Sequence, residues 1–113
     1  MNLADKALCA LTNAGIDARR VANYIGACKA PYVVVQDAGE MADMGRWARK
    51  VGVVLHCFVP ANQPAQMPAL IHCVRIAMRT APMLRHAGQG EETINDAFKA
   101  IAQTVQYVAL CAK

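Results

Sequence analysis

The residues with most capacity for chemistry are two His-Cys dipeptides, His56-Cys57 and His72-Cys73, sixteen positions apart. Imidazole and thiolate are the common zinc ligands, and a zinc site needs three or four of them converging on one point. A strand over 46–59 packed on a helix over 66–81 could bring the two dipeptides together. The local periods argue against it. Neighbours on a strand point to opposite faces, so His56 and Cys57 cannot both ligate. On the helix, Cys73 falls on the apolar stripe and His72 on the polar one. The expectation is two buried cysteines, two partly exposed histidines, no metal and no cofactor.

A thiol nucleophile needs a nearby base and a lowered pKa. None of Cys9, Cys28, Cys57, Cys73 or Cys111 has a sequence context that supplies either. GxSxG, P-loop, HExxH and GxGxxG patterns are all lacking. The chain therefore reads as a protein without enzymatic activity. Five cysteines is an odd count, widely spaced and without CxxC. The N-terminus lacks a charged region followed by an apolar one. Both point to reduced thiols in a cytosol-assembled protein, used as small core fillers.

Twelve Lys and Arg against eight Asp and Glu leave a net charge of +4. The basic residues are dispersed, with no run of the length that marks a nucleic-acid tail. Aromatics at 5% are too few for a single-strand stacking platform. One basic group does stand out: His72, Arg75 and Arg79 share a helix face. It is either a solvated face or a patch for an acidic partner or passing DNA.

The elements that must position these residues can be read in order. Residues 2–14 form a helix with Leu3, Ala7 and Leu11 at i+4, stopped at Gly15 in a left-handed cap. Residues 16–30 stay ambiguous. Tyr32-Val33-Val34-Val35 is a strand. Residues 37–45 read as a polar loop, with Met41 and Met44 as apolar anchors beside Trp47. A strand over 46–59 places Trp47, Val51, Val53, Leu55, Cys57 and Val59 on one face and ends at Pro60. A helix beginning between Pro64 and Pro68 carries Met67, Leu70, Ile71, Val74, Ala77, Met78 and Ala81 on one side and stops at Pro82. Met83 to Ala87 is a weak strand and 91–96 a polar loop. Over 97–111 the alanines favour helix, and Thr104, Val105, Tyr107 and Val108 favour strand.

The order α-β-β-α-β-β predicts one α+β domain over 1–113, an antiparallel sheet of about four strands with helices on one face. No apolar run approaches the ~18 residues that span a membrane. Hydrophobic residues are 56% and charged residues 18%, below the usual ~25% charged. Some apolar surface must stay exposed, which is the composition of a self-associating protein.

Three segments resemble a family of small tail-completion or tail-terminator proteins of tailed bacteriophages. Ala30-Pro31-Tyr32-Val33-Val34-Val35-Gln36-Asp37-Ala38-Gly39 looks like the family's first strand and loop. Val53-Val54-Leu55-His56-Cys57-Phe58-Val59-Pro60 is similar to its second strand, with a proline before the main helix. The segment from Asn95 to Tyr107 looks like its closing strand. The resemblance covers most of the chain from residue 30 onward, through strand patterns and not catalytic signatures. It implies a subunit of a ring, commonly a hexamer, that caps the tail tube, stops its growth and joins it to the head. It tips 97–111 toward strand. Implied partners are further copies of the chain, the tail tube protein and head-closure or connector proteins, with DNA passing through the ring unread. The implied location is the virion tail or neck, after assembly in the host cytoplasm. Met41, Met44 and Trp47 are then candidates to touch an adjacent subunit or the tube. Two alternatives are a head-closure or connector ring and a small phage-encoded regulatory binding protein.

Overall fold

In the computed structural model, residues 3–20, 30–43, 48–95 and 99–112 are described; for 39–43, 48, 95, 111 and 112 the description is of the backbone. Helix α1, Leu3–Asn13, buries Ala4, Ala7, Ala10 and Leu11. That is the 3/4 spacing of one helix face, and its alanines allow a close approach to the sheet. The helix ends as expected at Gly15, with φ +81°. The Gly15 N–H donates to the Thr12 carbonyl at 3.0 Å and the Ile16 N–H to the Leu11 carbonyl at 3.1 Å. This paired closure satisfies two carbonyls the helix leaves open, and only glycine enters that conformation without steric cost.

The chain then makes a two-residue strand, β1 (Ala18–Arg19), parallel to the first long strand, β2 (Tyr32–Asp43). β3 (Ala48–Pro60) returns antiparallel to β2. Helix α2 (Gln66–Ala77) follows and tightens into a 3-10 turn, Met78–Thr80. Pro68 sits in the first turn of α2, where an N–H would have had no intrahelical partner. β4 (Arg85–Gln89) and β5 (Thr93–Asn95) then run along one edge of the last strand, β6 (Ala100–Ala112), whose other edge pairs with β3 from Pro60↔Ala100 to Ala48↔Ala112. The sheet order is β1-β2-β3-β6-β4, with β5 beside β4 on β6.

The fold is α+β, as expected, but the sheet is mixed and six-stranded where about four antiparallel strands were predicted. The expected loop at 37–45 is strand as far as Asp43, paired to β3 with register shifts at Asp37/Gly39 and Glu40/Ala42. Such bulges let turn-favouring residues sit inside a ladder. The predicted strand over 46–59 is Ala48–Pro60 among the described residues. The weak strand 83–87 lies at 85–89, and the polar loop 91–96 contains β5. The closing segment is strand, as the resemblance implied: pairing on both edges of β6 overrides the helix propensity of its alanines.

Both helices pack on one face of the sheet, against Val33, Val35, Val53, Leu55, Cys57 and Val105. The α2 apolar stripe is buried as predicted, from Met67 to Ala81. The opposite sheet face carries a smaller cluster of Tyr32, Val34 and Ala100, with Phe58 stacked on Tyr32 at 4.8 Å between ring centroids. Helices of 11 and 12 residues are about 17 Å long. Strands of 12 and 13 residues reach about 40 Å, close to the molecule's 48 Å long dimension. The helices therefore cannot cover the sheet end to end. The strand ends 39–43, 48–52 and 108–112 continue as a three-stranded ribbon, on which Leu110 is 67% exposed.

Candidate functional site: a cationic trough between α2 and β4

The two His-Cys pairs do not converge. Cys57 faces the core, fully covered, and burial pushes its thiol up to about 12. His56 lies on the opposite sheet face, as the strand period requires, with Nε2 2.6 Å from the Gln36 amide oxygen. Burial lowers the His56 pKa. Cys73 is exposed, which corrects the expectation of a second core thiol. At 100° per residue it lies roughly 100° from the centre of a stripe that Met67, Leu70, Ile71, Val74 and Met78 already fill. Among the described residues no three His, Cys, Asp or Glu side chains gather as a metal site. Cys28 falls outside those residues, and for Cys111 only the backbone is described.

Met44 and Trp47 also lie outside the described residues, and Met41 is described by its backbone, on β2 and not on a loop. His72, Arg75 and Arg79 are all exposed on one flank of α2, the flank turned toward β4. Arg75 is not simply solvated. Its guanidinium lies close enough to Tyr107, a β6 residue only 4% exposed, to act on the phenol electrostatically. Burial raises the Tyr107 pKa; the nearby Arg75 guanidinium pulls the other way without cancelling it. The phenol stays protonated near neutrality. His86 of β4 meets the same ring edge-on at 5.6 Å and 85°.

Two adjacent hollows follow this seam, and a third opens beyond Pro82 toward the other sheet face. One of about 180 Å³ lies over Tyr107 between Arg75, Arg79 and His86. It shares Arg75 with a hollow of about 400 Å³ that reaches His72, Gln103 and Glu92. It shares Pro82 with one of about 440 Å³ lined by Met83, Arg85, Lys50 and Leu110. The ion pairs among the described residues, Arg19–Asp17 at 3.2 Å and Arg20–Asp5 at 4.0 Å, belong to the α1–β1 side. No described carboxylate lies within 4 Å of the guanidinium of Arg75, Arg79 or Arg85, and among the described residues Glu92 is the one acid lining the trough.

Sequence reasoning found the α2 flank but missed Tyr107, His86 and Arg85, which complete the site. The signal for Tyr107 was its even spacing with Val105 and Ala109, usable only once 97–111 is read as strand. Chemically the trough can hold an anion through charge and donated hydrogen bonds. The raised pKa of its phenol leaves that group unactivated as a nucleophile. No helix of the described residues is long and apolar enough to cross a membrane. No family model matches the sequence, and no curated protein matches it significantly.

Proposed function

We propose that this chain is a structural subunit of a tailed-bacteriophage virion, a tail-terminator or tail-completion ring at the head–tail junction, working by self-assembly and not by catalysis. One observation carries the reading. Leu110 and Ile94 are 67% and 72% exposed, and they stand toward opposite ends of β6, Ile94 pairing with Ile101. Nine strand positions separate them, about 30 Å. A ring closes through a head-to-tail contact between two different surfaces of the same subunit. Two separated apolar positions, one of them on an uncovered ribbon, suit that geometry better than one self-complementary patch. The low charge and the absence of a catalytic constellation among the described residues agree with it. The α+β subunit is the fold the resemblance implies.

On this reading Met41, Met44 and Trp47 touch a neighbouring subunit or the tail tube. DNA crosses the lumen without sequence readout. The test is a phage from which the gene is deleted. Tails of irregular length, with no heads attached, are expected, together with six copies of the chain per wild-type particle. Normal-length tails left unjoined would move the ring to the head-closure side. Absence of the chain from purified particles would leave a regulatory binding role and reject the structural one.

A further inference from the structure

The trough has a use that does not depend on ring formation: we propose that it docks an extended segment of a partner protein in which acidic and apolar residues alternate. β4 is the last strand of the sheet order, so its outward edge has no strand beside it among the described residues. An extended peptide can add to such an edge through main-chain hydrogen bonds. Side chains of an added strand alternate between the two sheet faces, and here the faces differ.

On the helix side, β4 presents His86, opposite Tyr107. There Arg75 and Arg79 overhang the 180 Å³ hollow, which is large enough for a carboxylate. Tyr107 lines the same hollow. On the other side, β4 presents Arg85, opposite Val108, next to the larger hollow where Pro82, Met83 and Leu110 supply apolar surface. Met83 and Leu110 are 46% and 67% exposed, so an apolar side chain seated there covers them as well. Lys50 and Arg85 rim that hollow and favour further negative charge nearby. Duplex DNA offers phosphate on a convex surface and nothing apolar to fill this end. The complementary occupant is therefore an acidic peptide strand and not a polynucleotide.

The experiment uses the whole chain and a fluorescein-labelled octapeptide of alternating glutamate and leucine, followed by anisotropy at low salt. The same peptide with glutamine for glutamate and a 20-base-pair duplex serve as competitors. Binding of the acidic peptide is expected, at least tenfold tighter than the glutamine peptide and weakening with added salt. The double variant Arg79→Glu/Arg85→Glu, both side chains exposed, should lose at least tenfold, while Arg49→Glu on the ribbon changes affinity by less than twofold. Amide shifts on binding should centre on β4 and Tyr107. Equal affinity for the two peptides overturns the proposal. So does a duplex that displaces the acidic peptide more effectively than unlabelled peptide does, which would make the trough a nucleic-acid contact.

Discussion

Gly90 donates its N–H to the Thr104 carbonyl at 2.8 Å, and a methyl group on its α-carbon would collide with the Thr104 hydroxyl. Here the edge chain passes from β4 to β5, and the Gln103 side chain donates to the Gly90 carbonyl at 2.9 Å. Gly90→Ala should therefore destabilise the fold by about 1–3 kcal/mol, the usual cost of overpacking. Removing the hydroxyl should remove most of that cost. In urea titrations, the Gly90→Ala penalty in a Thr104→Ala background should be less than half of that in the wild type. Strict additivity would mean the close approach is not what holds glycine there.

Gly15 makes a second, independent demand for glycine. Its φ of +81° closes α1, and nothing lies within 4 Å of the place a Cβ would occupy. The cost of Gly15→Ala is thus backbone strain alone, about 1 kcal/mol. Asn at the same position should recover part of it. A thermal midpoint unchanged in the alanine variant would show that the cap does not contribute to stability.

The cysteines should separate by reactivity. Iodoacetamide at pH 8 should label Cys9 and Cys73, which are exposed, well before Cys57, and Cys57 only on unfolding. Cys57→Ser should cost roughly 1–3 kcal/mol for an unpaired buried hydroxyl, and Cys73→Ser less than about 0.5 kcal/mol. Because the folded Cys57 thiol titrates near 12 and its ordinary value is 9.0, the unfolded chain loses this proton first. Stability should fall as pH rises through that window, and Cys57→Ala should flatten the fall.

His56 works in the acid range with the opposite slope. Burial lowers its pKa below 6.5, so on acidification the unfolded chain takes up the proton before the folded one does. Its contribution is intact above 6.5 and is lost as pH falls below it. The drop in melting temperature between pH 7 and pH 5 should be smaller in His56→Gln than in the wild type. An equal drop would assign the acid sensitivity to other groups.

The sequence made some of this legible through period and punctuation. Seven apolar positions defined α2, Gly15 fixed the end of α1, and alternation from Val51 to Val59 defined the core face of β3. The misses share a cause: partners distant in sequence. β1 is strand only because β2 lies beside it, and Gly39 to Asp43 are strand only because β3 accepts two bulges. β5 exists only along β6. The basic flank was visible at His72, Arg75 and Arg79. Its lining was not, since Arg75 meets Tyr107 across 32 residues. The candidate contacts at Met44 and Trp47 lie outside the described residues.

The strand order also constrains how the chain can be made. β3 pairs on one side with β2, which is synthesised just before it. Its other neighbour, β6, begins 40 residues after β3 ends. At translation rates of roughly 5–20 residues per second, β3 waits about 2–8 seconds for that neighbour. During this interval the nascent polypeptide is a valine-rich hairpin with an open edge, and β4 and β5 have been made with nothing to pair to. The sheet closes only when residues 100–112 have left the ribosome. A pause in translation between β3 and β6 would therefore prolong a sticky intermediate, and this stretch of the message is where chaperone engagement should be strongest.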